Sequence, residues 1–390
     1  MNIPLSRPDI TEKEINAVLD VLNTPHLSLG PKLNEFEERF AGYIGTKHAV
    51  AVNSGTSALH LALLSLDIGE HDAVITSPFS FISSANCILF VRATPIFVDI
   101  DPDTYNLDPD LIEEYIERNC YEQKKTGYLM DRKSGKRIKA ILPVHIFGLP
   151  CDMDRIMQIA EKYNLSVIED ACEAIGAEYK GKKVGTFGDI STFAFYPNKQ
   201  ITTGEGGMIV TDDEKIALMC RSLRNQGREG GGWFAHKRLG YNYRISDINC
   251  ALGIAQLERI EEILKKREAV ARQYNDLLKD LVKIPVEIDG LKRSWFVYVV
   301  QLPDRFSKKD RDEILNELTK NVIGCSNYFT PIHFQPFYRS LFGYTKGDFK
   351  ITEDISERTI ALPFYNHLIN KELKPILGII KKAFHQKNQN

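Results

Sequence analysis

The chain has 390 residues, of which 43% are hydrophobic and 26% charged, with a formal net charge of −2. At roughly 150 residues per domain, that length predicts two or three domains with ample core. The even charge balance argues against a nucleic-acid-binding surface and against a disordered acidic tail, and no run of about 18 apolar residues is available to span a membrane. Met1 to Asp9 carries neither the basic nor the apolar segment of a signal peptide. The seven cysteines (Cys87, Cys120, Cys151, Cys172, Cys220, Cys250 and Cys325) are scattered without a C-x-x-C pair. They fit reduced, buried thiols in a cytoplasmic protein better than a disulfide framework, and no metal site is expected.

Residues 11–22 and 33–43 predict amphipathic helices, punctuated by Pro25 and Gly30-Pro31. From about 48 to 210, β-rich runs alternate with helical patterns. The strands are expected at His48–Val52, Ala73–Thr76, Ile96–Val98, Ile138–His145, Ser166–Ile168, Ser191–Phe195 and Met208–Val210. Helices are expected at Ser57–Leu66, Ser83–Phe90, Pro109–Arg118 and Met153–Tyr163. This alternation predicts an α/β fold with a mostly parallel central sheet covered on both faces. The polar, basic stretch 119–137 reads as a surface excursion. A single helix from Ser246 to about Leu281 would reach roughly 50 Å and lead to a smaller unit. That unit is expected to hold a strand at Trp295–Gln301, helices near 308–320 and 371–384, and a frayed tail at His385–Asn390. The division expected is a large domain, 1–250, with an N-terminal arm, and a small C-terminal α+β domain, 251–390.

In such sheets ligands bind beyond the carboxyl ends of the strands, and three segments there carry chemistry. The first, Asn53-Ser54-Gly55-Thr56-Ser57, follows a strand and opens a helix. Its N–H groups and hydroxyls suit an anion such as phosphate, although Ser and Thr are also plain helix caps. It matches neither G-x-x-x-x-G-K-[ST] nor G-x-G-x-x-G. The second is Asp170, closing Ile168-Glu169-Asp170. A carboxylate there pairs with a protonated pyridine nitrogen or caps a helix. The third is Lys199, between Pro197 and the glycine-rich run Gly204-Glu205-Gly206-Gly207. Desolvation would free its amine for a Schiff base.

Phosphate cradle, strand-end aspartate and enclosed lysine, in that order, resemble the DegT/DnrJ/StrS family of nucleotide-sugar aminotransferases, which are fold type I pyridoxal phosphate enzymes. The resemblance covers about residues 5–380. It rests on Asn53–Leu59, Phe79–Asn86, Thr94–Asp101, Leu142–Gly148, Ile168–Ala177, Phe195–Gly207, Leu239–Leu252 and Ile332–Tyr338. It implies that Lys199 joins the cofactor and moves the proton, that Asp170 binds the ring nitrogen, and that Phe81 stacks on the ring unless it is a core phenylalanine. Gly55 and Thr56 would hold the phosphate. Asn242 would reach it from the partner subunit, so the resemblance implies a homodimer with a shared active site. Leu27, Ser28, Leu29, Gly30, His333 and Gln335 match substrate-facing positions, with His333 alternatively a histidine satisfied inside the small domain. Two positions depart from the pattern. Ala194 stands where a phosphate-binding serine is usual, and Glu173 stands where Gln or His lies near the cofactor's phenolic oxygen.

A histidine replaces the lysine in the family's dehydratases, so Lys199 favours amino transfer over a lyase or a non-catalytic regulator. The implied reaction takes an amino group from glutamate, releases 2-oxoglutarate, and aminates a nucleotide-linked 4-keto-6-deoxy sugar for a polysaccharide or related glycan. The run Thr202–Gly207 resembles members acting at C4. Specificity is expected from the loops 225–240 and 325–345.

Overall fold

Apolar side chains alternate along the strands so that each face of the central sheet acquires its own cover of helices. The computed structural model describes residues 2–230 and 235–389. Part of the expected specificity loop, residues 231–234, therefore lies outside the described residues. The strands of the main sheet are β1 (His48–Val52), β2 (Asp72–Thr76), β3 (Thr94–Phe97), β4 (Cys120–Gln123), β5 (Tyr128–Asp131), β6 (Arg137–Leu142) and β7 (Ser166–Asp170). After the two-residue strands β8 (Glu178–Tyr179) and β9 (Lys182–Lys183), β10 (Ile190–Ala194) and β11 (Gly207–Thr211) complete it. The spatial order is β1-β11-β10-β7-β6-β2-β3, with β5 joining β6 and β4 joining β5. Along that path only β11 runs against its neighbours, and beside it β5 runs against β6, so the expected mostly parallel sheet carries two reversed strands.

Val50 and Val52 face one cluster and Ala49 and Ala51 another, the period of two that a covered strand requires. Helices α1 (Glu12–Leu22) and α2 (Pro31–Ile44) precede the sheet. The crossovers follow as α3 (Gly55–Ser65), α4 (Ser83–Phe90), α5 (Pro109–Asn119), α6 (Met153–Tyr163) and α7 (Glu214–Arg224). Residues of α3, α4 and α7 fill one face, while α2, α5 and α6 fill the other. The stretch 119–137 is not a loop: β4 and β5 form a hairpin on β6, with Asp131 taking the hydroxyl of Tyr115 at 2.6 Å and the amide of Ser134 at 2.6 Å. Its polar residues gave no apolar alternation because the hairpin lies at the sheet's edge.

The expected long helix is two, α8 (Asp247–Glu258) and α9 (Ile260–Leu278), broken at Arg259. No Gly or Pro marks the break. Arg259 is turned to meet Asp9 at 3.2 Å and Glu14 at 2.7 Å, and Asp9 also meets Lys266 and the amide of Asn366. A tertiary ion cluster, invisible in local periodicity, thus ends the helix. Along α9 the packing changes hands. Ile260 and Ile263 belong to the cluster around α2, whereas Val270, Tyr274 and Leu278 belong to a C-terminal cluster that also takes in Ile3.

That second cluster is built on β13 (Tyr298–Gln301) and β14 (Thr359–Leu362), which pair antiparallel, beyond the short β12 (Leu291–Lys292). Of the helices that follow, α10 (Lys308–Lys320), α11 (Pro336–Phe342), α12 (Lys350–Arg358) and α13 (Asn370–Gln389), α10 and α13 supply the second cluster, whereas α11 sets Tyr338 against Phe97 of β3. The strand expected from Trp295 begins only at Tyr298. Residues 385–389 of the tail expected to fray continue α13 instead, where Lys387 pairs with Asp310 at 2.8 Å just beyond Phe384, which packs on Phe306; Asn390 lies outside the described residues.

The two clusters meet at Gly148, which follows β6. Its φ is +77°, and a Cβ there would lie 1.7 Å from the carbonyl oxygen of Ser294, whose amide donates to Gly148 at 2.9 Å. Both backbone conformation and space demand glycine. Gly148→Ala should destabilise the protein by about 2 kcal/mol or more. A denaturant titration showing no loss would contradict this close approach.

Candidate active site

The carboxyl ends of β1, β2, β6, β7 and β10 open into one cavity of about 580 Å³. Its wall includes Gly55, Thr56, Phe81, Asp170, Glu173, Ala194 and Lys199, six residues expected to hold the cofactor together with the departing Ala194. Sequence positions up to 144 residues apart are brought together because successive crossovers return each strand to the same edge.

At the end of β1, Ser54 caps α3 by accepting the amide of Ser57 at 3.0 Å, so the capping alternative describes its side chain. Capping leaves the rest of the first turn facing the cavity, where N–H groups have no partner within the helix. Thr56 shares a hydrogen bond of 2.9 Å with Ser83 on α4. Gly55 lies directly on β10: a Cβ there would sit 2.7 Å from that of Ala194 and 3.0 Å from the sulfur of Cys172. The small residues Gly55 and Ala194 together let the helix start approach the sheet.

Asp170 is 4% exposed and does not cap a helix. Its Oδ2 accepts the hydroxyl of Ser84 at 2.7 Å, and Oδ1 accepts the amide of Cys172 at 3.1 Å. Ser84 is itself in contact with Ser80 at 3.0 Å. Sequence reasoning missed Ser84, although the spacing of Ser80 and Ser84 places both on one face of a helical turn. Beneath Asp170, Glu169 is fully buried and accepts the amides of Gly185, Phe187 and Gly188 and the hydroxyl of Ser191. His145 completes the set at 3.1 Å; its Nδ1 accepts the amide of Cys151, so Nε2 carries the proton toward Glu169. Burial alone would push Glu169 upward, but His145 and these amides hold it below the ordinary carboxylate range.

Lys199 lies in the loop between β10 and β11, with its side chain 12% exposed. Its ammonium is 3.7 Å from Oε1 of Glu173 and 3.9 Å from the centre of the Phe296 ring. Phe81, at 60% exposed, is a cavity-wall aromatic and not a core phenylalanine. Phe296, Asn327, Tyr328 and Phe329 close the cavity from the C-terminal part of the chain. No local motif announces them, since their contribution arises only when that part packs against the sheet.

The remaining expected site residues lie outside this cavity. Asn242 is exposed and bridges to Asn225. Leu27 is exposed, Ser28 bridges to Ser246, and Gly30 donates its amide to Asp247 at 2.8 Å. His333 is fully buried, with Nε2 3.2 Å from Glu353 and its ring against Phe334 and Phe349. Burial lowers its pKa against the opposing pull of Glu353, and its Nδ1 is buried without a hydrogen-bond partner. Gln335 caps the short helix α11 with extended backbone and does not line the cavity.

Residues 8–381 match the DegT/DnrJ/EryC1/StrS aminotransferase family. The GDP-perosamine synthase of Caulobacter vibrioides is 39% identical over 386 residues, covering 98% of each chain. The structure of Helicobacter pylori PseC, an aminotransferase involved in the biosynthesis of pseudoaminic acid, superposes with a TM-score of 0.89 at 30% identity, over 99% of this chain and 100% of that one. A Streptococcus pneumoniae protein assigned as a sugar aminotransferase, in its PLP form, gives a TM-score of 0.90 at 28% identity, over 99% and 100%. The chain belongs to this aminotransferase family, which uses pyridoxal phosphate.

The residues present fit that cofactor. The cavity offers a buried amine, a strand-end carboxylate, an exposed ring and a helix start, and the side-chain oxygens of Asn198 and Asn327 in its wall are buried without a partner. Gly55→Ala should push the start of α3 off the sheet and weaken pyridoxal phosphate binding about tenfold or more, a loss of roughly 1.4 kcal/mol. Equilibrium titration of the cofactor reads this directly; unchanged affinity would show that the helix start does not contact it.

Proposed function

We propose that this DegT/DnrJ/EryC1/StrS aminotransferase moves an amino group from glutamate to a ketone on a nucleotide-linked 4-keto-6-deoxyhexose, at C4. The observation that carries the reading is the convergence of Lys199, Asp170, Phe81, Gly55 and Thr56 on one cavity. Pyridoxal phosphate, when bound, supplies the electron sink that makes amino transfer possible. The chain's own residues do the rest. Lys199 is the amine that holds the cofactor and carries the proton between carbon atoms. Asp170, kept in place by Ser84 and the Cys172 amide, keeps the ring nitrogen protonated. Phe81 covers the ring, and Gly55 and Thr56 hold the phosphate at the start of α3.

The likeness to a GDP-perosamine synthase supports a GDP-linked sugar as the first substrate to assay. The run Thr202–Gly207 supports amination at C4. A homodimer accounts for Asn242, which is exposed and outside its own cavity: from one protomer it would complete the phosphate contacts of its partner. Leu27 and Leu239, 45% and 83% exposed, support a further surface that a second protomer or a substrate covers. Among the described residues no helix is long and apolar enough to cross a membrane.

The visible spectrum tests this reading. Purified protein with pyridoxal phosphate should show a band that glutamate bleaches and that borohydride fixes onto the chain. Lys199→Ala should show no borohydride-fixable cofactor and lose amino transfer by several orders of magnitude. A wild-type band unaffected by glutamate would overturn the donor, and fixation in Lys199→Ala would overturn the lysine.

A further inference from the structure

Glu173 stands where the family pattern has Gln or His, and its surroundings are more specific than a tolerated substitution requires. The side chain is buried in the cavity wall. Oε2 accepts the amide of Phe147 at 2.9 Å, and Oε1 is 3.7 Å from the Lys199 ammonium. Its backbone carbonyl accepts the side-chain amide of Gln200, the residue after Lys199, at 2.7 Å, and the same Nε2 also donates to Ser294. The carboxylate thus faces the amine across the cavity wall, and the Gln200 side chain ties the backbone of Glu173 to Ser294. Phe147 is held in turn by stacking on Phe329 and by packing against Phe79.

We infer that Glu173 is a positioning residue for Lys199: its carboxylate, paired electrostatically with the lysine amine across the cavity wall, sets the pH at which that amine becomes free to react. The inference rests on the reading of Lys199 as the cofactor lysine. An opposite charge at this distance favours the protonated amine. The low-dielectric wall strengthens that preference, and the Phe296 ring on the ammonium adds to it. Burial pushes the Glu173 carboxyl above its ordinary range, against the opposing pull of Lys199 and the Phe147 amide. A Gln in the same place would keep the acceptor for Phe147 but could neither carry the charge nor hold the proton.

Other titratable groups face the pair and remain in every variant. Asp170 and Cys172 come from the turn after β7, Tyr196 and Glu205 from the loop of Lys199, and Tyr328 from the C-terminal part. Only the charge at position 173 changes between Glu and Gln.

The test is the pH dependence of Lys199 carbamoylation by cyanate in the full-length, cofactor-free protein, read by peptide mass spectrometry with the surface lysines as internal reference. Only the neutral amine attacks the carbon of the isocyanic acid that cyanate supplies, adding across its C=N bond. In Glu173→Gln the midpoint for Lys199 should fall by about one pH unit, making it roughly tenfold more reactive at pH values below both midpoints. Glu173→Asp, which keeps the charge, should stay closer to wild type. Equal midpoints in wild type and Glu173→Gln would overturn the inference, as would an equal fall in Glu173→Asp. Thermal melts of the three proteins identify any variant that does not fold; if Glu173→Gln fails, a Glu173→Asp midpoint more than one unit below wild type still contradicts the role. Absence of a visible cofactor band in the wild type would sink the reading of Lys199 itself and leave the carbamoylation result standing.

Discussion

Parallel pairing of β7 with β10, which sets Thr192 opposite Asp170, fixes where the carboxylate and the lysine can meet. β7 must stop at Asp170 because Glu169, one residue earlier, is anchored from below by three amides, a serine hydroxyl and His145. Hydrogen bonds to a charged group contribute about 1.5–3 kcal/mol each, and a buried carboxylate stripped of them would be far costlier. β10 must then turn back as β11, antiparallel, and the connecting loop has nowhere to pass except over the mouth of the sheet. Lys199 sits in that loop. Its position is a consequence of strand order and of one satisfied buried charge, more than of its immediate neighbours.

From this edge the remaining parts of the site are distributed by rigidity. Asp170, Gly55 and Ala194 belong to strands and the starts of helices, where packing leaves little freedom. The aromatics that complete the wall, Phe296, Tyr328 and Phe329, come from the C-terminal part and meet the sheet at the Gly148–Ser294 approach. The same approach brings Phe147 against Glu173 and Gln200 against Ser294. Packing between the two parts of the chain and the electrostatic setting of the lysine are therefore one arrangement.

Much of this was legible in the sequence for identifiable reasons. The strand-end motifs around Asn53, Asp170 and Lys199 carry their chemistry in local order, and β-rich runs alternating with helical patterns located the strands that present them. What was not legible depended on tertiary contacts. The break at Arg259 comes from Asp9 and Glu14, far away in sequence, and the hairpin at 120–131 lies on an edge where polar side chains are tolerated. His333 matched a substrate-facing pattern, yet it is enclosed by Phe334, Phe349 and Glu353, contacts that no spacing rule encodes. Ser84 was within reach through its spacing from Ser80, whereas Phe296 offered no local signal.

The most direct test of the central claim, that this strand edge is a pyridoxal phosphate site built on Lys199, is a crystal structure of the protein loaded with the cofactor. Continuous density is expected from Lys199 Nζ to the cofactor, with the ring nitrogen facing Asp170 and the phosphate at the first turn of α3. Density for the cofactor on another lysine, or with its phosphate away from Gly55 and Thr56, would contradict it.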